Sequence, residues 1–162
     1  PEKRKNEDIV AAMETIKKFN NYTRAVLGLN RKEASEIAAV LGLELSDAPD
    51  KVSLQEITEA IGKAMNIYGV VVHPTNSAAC YIGGQYYSVD GPFTSRPKLT
   101  TGAGDNFNAG FSLGLTLGLD PKSALVMGVG TSGFYVRNMH SPSFSDLKGF
   151  LELWAENAGK DF

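Results

Sequence analysis

An α/β domain, with a mainly parallel sheet flanked by helices, is the fold class this sequence predicts. Two short apolar runs, residues 24–29 and 69–73, are bounded by polar residues in the manner of strands buried on both faces. Stretches with apolar residues every three or four positions lie before, between and after them, as helices covering such a sheet would. The third observation is local. Thr100-Thr101-Gly102-Ala103-Gly104-Asp105 leads directly into an apolar-periodic run of Phe107, Phe111 and Leu115, the pattern of a tight glycine turn feeding a helix N-terminus.

Composition narrows the functional classes. At 162 residues, 43% hydrophobic and 21% charged, the chain can bury a sizeable core and does not have the make-up of a disordered tail. A formal net charge of −2, with no basic run, argues against nucleic acid and against a membrane surface as partner. No apolar stretch nears the roughly 18 residues a membrane-spanning helix needs. The start, Pro1-Glu2-Lys3-Arg4, has no signal-peptide core, so a cytoplasmic protein is expected. Cys80 is the single cysteine, which excludes an internal disulfide and a cysteine-based zinc cluster. Between Ala79 and Tyr81 it reads as a buried strand thiol rather than a nucleophile. An α/β domain normally opens on a strand and none precedes the first helix here, so further chain is expected ahead of Pro1.

Taken in order, residues 6–20 carry Ile9, Val10, Met13 and Ile16 at helical spacing and stop at Asn20-Asn21. Residues 24–29 form the first strand. Asn30-Arg31-Lys32-Glu33 then opens a helix that runs through Ile37, Ala38 and Leu41 to Gly42. Asn followed three positions later by Glu is the spacing of a capping box. Residues 46–50 are polar with a proline and read as a loop. Ser53 and Glu56 repeat the capping-box spacing ahead of a helix with Leu54, Ile57, Ile61 and Met65 on one face. Gly62-Lys63 falls inside that helix with no glycine five positions earlier, so it is not a phosphate-binding P-loop.

Residues 69–73 form the second buried strand. His73 at its end could line a nucleotide site or simply be hydrogen-bonded. Residues 78–81 and 85–89 read as a hairpin, because Gly83-Gly84 can take the positive φ values a tight turn demands. Residues 91–99, with Pro92 and Pro97, are irregular.

In the helix after the glycine turn, Gly110, Gly114 and Gly118 recur every four positions. Each interior glycine costs roughly 0.5–1 kcal/mol relative to alanine, so the series implies close backbone packing against another element. Asp120-Pro121 starts a further helix. Within it, Gly128-x-Gly130-x-x-Gly133 matches a dinucleotide fingerprint in form, but that fingerprint belongs between a strand and a helix. Small residues there suit packing beside Gly110 and Gly114, or the border of an adenine ring. Residues 138–143 form a loop, and Ser145 or Asp146 caps a last amphipathic helix carrying Leu147, Phe150, Leu151 and Trp154.

The chemistry centres on residues 102–105. The first amides of a helix lack internal acceptors, and the aligned peptide dipoles add roughly half a positive charge, so an anion is favoured there and phosphate is the natural candidate. Asp105 stands where either a capping residue or a proton acceptor would stand.

Thr101-Gly102-Ala103-Gly104-Asp105-x-Phe107-x-Ala109-Gly110-Phe111 resembles the C-terminal signature of the ribokinase-like (PfkB) carbohydrate and nucleoside kinases. In that family the N-terminal half holds the sugar-binding residues and a small β-sheet lid. The resemblance therefore implies that residues 1–162 are the C-terminal nucleotide-binding and catalytic part of a ribokinase-like fold, with the sugar-binding half and lid absent. It implies that Asp105 accepts the proton of a sugar hydroxyl. Gly102, Ala103 and Gly104 would shape the cradle of the transferring phosphoryl group, through the amides of Ala103, Gly104 and Asp105.

Asn30 and Glu33 match the family's Asn-x-x-Glu motif, associated there with magnesium and phosphate. Magnesium takes oxygen ligands and keeps several waters, which suits Glu33 acting through water. His73, Thr75, Thr101 and Asn138 join Asn30 and Glu33 as candidate nucleotide contacts. The cofactors implied are ATP and Mg2+, with a monovalent cation as a third, since Pro142-Ser143 is similar to the segment completing a cation site in relatives.

Two departures stand against that pattern. Leu99 occupies a position where relatives often carry an acid for that cation. His73-Pro74-Thr75-Asn76-Ser77-Ala78 lacks both glycines of the family's nucleotide-contacting Thr/Lys-x-Gly-x-x-Gly. The expected activity is ATP-dependent phosphorylation of a small-molecule sugar or nucleoside. The alternative is a non-catalytic nucleotide-binding or structural module of the same fold. Sheet edges left open by a missing half could also drive homo-oligomer formation.

Overall fold

The structure is a computed structural model that describes residues 4–162. In chain order its elements are α1 (Asn6–Phe19), β1 (Val26–Leu29), α2 (Arg31–Val40), α3 (Leu54–Met65), β2 (Gly69–Val72), β3 (Ser77–Ile82), β4 (Gln85–Asp90), α4 (Ala103–Thr116), α5 (Pro121–Asn138) and α6 (Phe144–Glu156). The four strands lie in the order β1-β2-β3-β4.

The α/β class with flanking helices holds, and the sheet is mixed. β1 and β2 are parallel, with Val26 opposite Gly69 and Leu29 opposite Val72. Two helices fill the connection between them, as a parallel crossover requires. β2 and β3 are antiparallel, with Gly69 opposite Ile82 and Val72 opposite Ala79. Gly83 (φ 61°) and Gly84 (φ 79°) then turn the chain from β3 into β4, so the parallel part of the sheet is confined to β1 and β2.

The chain forms two compact units. The first holds the described residues up to Pro74 together with Ala79–Tyr87. Its core joins Ile9 and Met13 of α1, Ile37 and Ala38 of α2, Ile57, Ile61 and Met65 of α3, and Val70 and Val72 of β2. Every residue of β2 is buried, and the two-residue alternation puts Val71 on the face opposite Val70 and Val72. Burying one such aliphatic side chain contributes about 1.5–3 kcal/mol, which explains why three consecutive valines after Gly69 suffice for this strand.

Gly62 lets α3 approach β3, because a Cβ there would collide with the ring of Tyr81. Ser53 caps α3 by accepting from the Glu56 amide at 3.0 Å. The reciprocal half of the expected box is replaced: the Glu56 carboxylate binds the amide and hydroxyl of Ser46 instead. Those Ser46 bonds hold its carboxyl below the usual carboxylate range.

The second unit holds Thr75–Ala78 and Ser88–Phe162. Here α4 and α5 pack along their lengths through glycines. Gly110 faces Thr131 and Met127, a Cβ on Gly114 would stand 2.9 Å from the Ala124 Cα, and one on Gly128 would stand 2.8 Å from the Phe107 ring. Gly130 makes room for Leu151 of α6, and Gly133 for Pro92 and Phe150. The glycines of 128–133 are thus packing positions in the middle of a helix, and no dinucleotide turn exists there.

Gly118 departs from the expected packing role. With φ 80° and nothing within 4 Å of its Cβ position, it ends the helix rather than packing it. The cap of α6 also lies earlier than Ser145 or Asp146. Ser143 is the N-cap, its hydroxyl accepting from the Asp146 amide at 3.2 Å while Asp146 accepts from the Ser143 amide at 2.9 Å. Among the described residues no helix is long and apolar enough to cross a membrane.

Candidate active site

The glycine turn is built as the sequence requires, with one shift of roles. Gly102, not Asp105, is the N-cap of α4, at φ 89° and ψ −2°. Only glycine enters that left-handed region without cost, and a Cβ at 102 would also lie 2.9 Å from the Tyr135 hydroxyl. The Gly102 carbonyl is fixed twice, accepting at 3.0 Å from both the amide and the side-chain Nδ2 of buried Asn106.

Of the three amides expected to face a phosphate, that of Ala103 donates to the Thr100 carbonyl at 3.1 Å. Those of Gly104 and Asp105 have no acceptor among the described residues. Asp105 sits at the third helical position. It is exposed, and its carboxylate makes no hydrogen bond or ion pair among the described residues. The capping role left open for it is therefore unfilled. A carboxylate next to two unengaged amides at a positive helix end can take a proton from a hydroxyl brought to it, while the amides hold negative charge beside it.

In the same unit, Thr101 is exposed and its carbonyl accepts from the Tyr135 hydroxyl at 2.8 Å. Asn138, the exposed last residue of α5, donates from its side chain to the Phe134 carbonyl at 2.9 Å. Thr75 is exposed. Sequence reasoning missed Tyr135. It lies 34 residues from Thr101, inside a helix whose other polar positions carry no signal that would single it out.

Asn30, Glu33 and His73 belong to the first unit. Leu29 and Val72 are the last paired rung of the parallel strands, and the His73 amide donates to the Leu29 carbonyl at 2.9 Å. Asn30 and His73 therefore emerge side by side at the strands' carboxyl ends, where open α/β sheets bind ligands. Asn30 and Glu33 form a complete capping box. The Asn30 Oδ1 accepts from the Glu33 amide at 2.9 Å, and the Glu33 Oε2 accepts from the Asn30 amide at 2.9 Å. Oε1 of Glu33 has no partner among the described residues and is the oxygen that could meet a water or ion.

Among the described residues no group of three or more His, Cys, Asp or Glu side chains gathers to hold a metal. One carboxylate oxygen nonetheless fits magnesium, which is commonly held by one or two carboxylates, substrate phosphates and water. Two sequence features are structural. Cys80 is fully buried and its thiol is pushed up to about 12 by burial, and Lys63 pairs with Glu59 at 3.0 Å within α3.

The fold is that of the ribokinase-like carbohydrate kinases. The chain superposes on ribokinase from Thermotoga maritima with a TM-score of 0.66 at 18% identity, covering 84% of this chain and 44% of that one. On ribokinase of Arabidopsis thaliana, complexed with ribose and ATP, the TM-score is 0.64 at 19% identity, covering 82% and 43%. The family is narrower. The family model for prokaryotic ketohexokinase matches residues 2–154, and the chain belongs to that family. It is also similar to a ketohexokinase of Haloferax volcanii, 28% identical over 149 residues that make up 91% of this chain and 38% of that protein. The chain thus spans less than half the length of these relatives.

Proposed function

We propose that this chain is the C-terminal, nucleotide-binding and catalytic part of an ATP-dependent kinase that phosphorylates a ketohexose hydroxyl. Family membership supports the substrate class, and the observation that carries the reaction is Asp105, exposed and, among the described residues, unpaired beside the unengaged amides of Gly104 and Asp105. Asp105 takes the hydroxyl proton as the acceptor oxygen bonds to the γ-phosphorus of ATP and the bond to the departing ADP breaks, help worth typically 10²–10⁴-fold. The two amides hold the charge that gathers on the transferring phosphoryl oxygens, and Gly102 aims them by its left-handed turn. Thr101, Thr75, His73 and Asn138 serve as nucleotide contacts. Glu33 would hold magnesium, through water, with the oxygen that its capping bond to the Asn30 amide leaves over, and Asn30 would keep that carboxylate in place. The metal, when bound, neutralises phosphate charge.

The test is Asp105→Asn in the full-length protein. Turnover of ATP with a ketohexose should fall by at least about a hundredfold, with ATP affinity by calorimetry unchanged. Turnover retained within about tenfold removes Asp105 as the base. A second reading, a non-catalytic nucleotide-binding module, draws on the missing glycines between His73 and Ala78. It predicts ATP binding with no ketohexose-dependent ADP release in the unaltered protein.

A further inference from the structure

We infer that the last turn of α5 sets the shape of the glycine turn, with Tyr135 as the positioning residue for phosphoryl transfer. This rests on the kinase reading above. Three consecutive residues of α5 reach back to the irregular segment leading into α4, and they take it in reverse order. The Tyr135 hydroxyl donates to the Thr101 carbonyl at 2.8 Å. The Val136 carbonyl accepts from the amides of Lys98 at 2.7 Å and Leu99 at 3.3 Å. The Arg137 guanidinium donates to the carbonyls of Phe93 at 2.7 Å and Pro92 at 3.3 Å, and also to those of Gly133 and Phe162. It lies over the rings of Phe162 and Phe150, at 4.5 and 5.4 Å from their centroids.

Residues 91–102 contain no helix or strand, so these bonds, together with those from the Gly91 amide to the Asn76 carbonyl and from the Ser95 amide to Asp161, define their path. The bond to Thr101 matters most. Its carbonyl belongs to the peptide that ends on the Gly102 nitrogen, and a glycine at φ 89° could otherwise let that peptide rotate. Holding that one oxygen fixes the plane from which the chain turns toward the amides of Gly104 and Asp105. The Tyr135 ring also fills the space a side chain at 102 would need, its Cζ 3.4 Å from the Cβ position. The amides are thereby held in place before any phosphate arrives, the condition under which such donors stabilise developing charge most effectively.

Tyr135→Phe removes only the hydroxyl. In the full-length protein kcat should fall about tenfold, because a small misplacement of catalytic groups is felt strongly. KM for the ketohexose should stay within about twofold and thermal stability should be nearly unchanged. In NMR spectra the amide resonances of Gly102, Gly104 and Asp105 should move while those of α1–α3 do not. Arg137→Lys, which loses the planar fork and its bonds to Phe93 and Pro92 but leaves the Tyr135–Thr101 bond in place, is the second variant: it should lower thermal stability yet reduce kcat less than Tyr135→Phe does.

A kcat within about twofold of the parent, or those amide resonances unmoved, overturns the inference. So does a kcat loss matched by a loss of thermal stability. If Asp105→Asn retains turnover, the kinase reading fails independently, and the amide resonances alone then decide whether Tyr135 shapes the turn.

Discussion

Gly110 and Thr131 lie so close across α4 and α5 that one added carbon has no room: a Cβ on Gly110 would overlap the Thr131 hydroxyl and stand 2.6 Å from the Met127 carbonyl oxygen. That hydroxyl already donates to the same carbonyl at 2.8 Å, so neither atom can easily give way. Gly110→Ala should therefore destabilise the protein by about 1–3 kcal/mol, even though alanine gains up to about 1 kcal/mol in helix propensity. Gly118→Ala has open space but sits at φ 80°, and its loss of about 1–2 kcal/mol comes from backbone strain alone. Urea unfolding at constant m-value measures both. A Gly110→Ala protein as stable as its parent would show that the two helices can part without loss.

The Asn30–Glu33 pair offers a separation of capping from catalysis. Asn30→Ala removes the acceptor for the Glu33 amide and should cost about 1 kcal/mol of stability. Glu33→Gln keeps an acceptor at the third helical position and should change stability by less than about 0.5 kcal/mol. If Glu33 also meets magnesium, Glu33→Gln should raise the magnesium concentration needed for half-maximal turnover. An unchanged magnesium dependence would leave Glu33 as a cap only.

Cys80 should be chemically silent in the folded protein. Its thiol is fully buried in β3 and pushed up to about 12, so the reactive thiolate is negligible at mildly alkaline pH. Iodoacetamide at pH 8.5 should modify the native protein at least about a hundredfold more slowly than the urea-unfolded chain. Comparable rates would mean that β3 opens readily.

The glycine turn and most of the elements were legible because their signals are local. Glycines bracketing Ala103 required a turn, and Asn30 and Ser53 announced their helices within one turn. What was not legible depends on distant partners. The Ala103 amide is engaged by a carbonyl only three residues back, yet whether a turn closes that way depends on how the Thr101 peptide is held, and Tyr135 holds it from 34 residues away. Glu56 had the spacing of a box but found Ser46 instead. Gly118 shared the four-residue period of Gly110 and Gly114, but the helix ended before it could pack. At α6 three capping-type residues, Ser143, Ser145 and Asp146, compete within four positions, and sequence does not rank them.

Asp120, the N-cap of α5, carries a prediction on pH. Its Oδ1 accepts from the amides of Lys122 at 3.0 Å and Ser123 at 3.1 Å, and its Oδ2 accepts from the Ser123 hydroxyl at 2.5 Å. Those bonds, the Ser123 hydroxyl first among them, hold its carboxyl below its ordinary value. A carboxyl with a lowered folded-state pKa binds its proton less readily than in the unfolded chain. It therefore adds stability above the unfolded value of about 4, and that contribution fades as pH drops through the folded one. Asp120→Asn keeps the Oδ1 acceptor but loses the charge at the helix's positive end. It should be less stable than the parent at pH 7, and the gap should close as pH falls from 5 toward 2. Urea midpoints measured across that range decide it: a gap that stays constant with pH would mean that Asp120 caps α5 by geometry alone, without help from its charge.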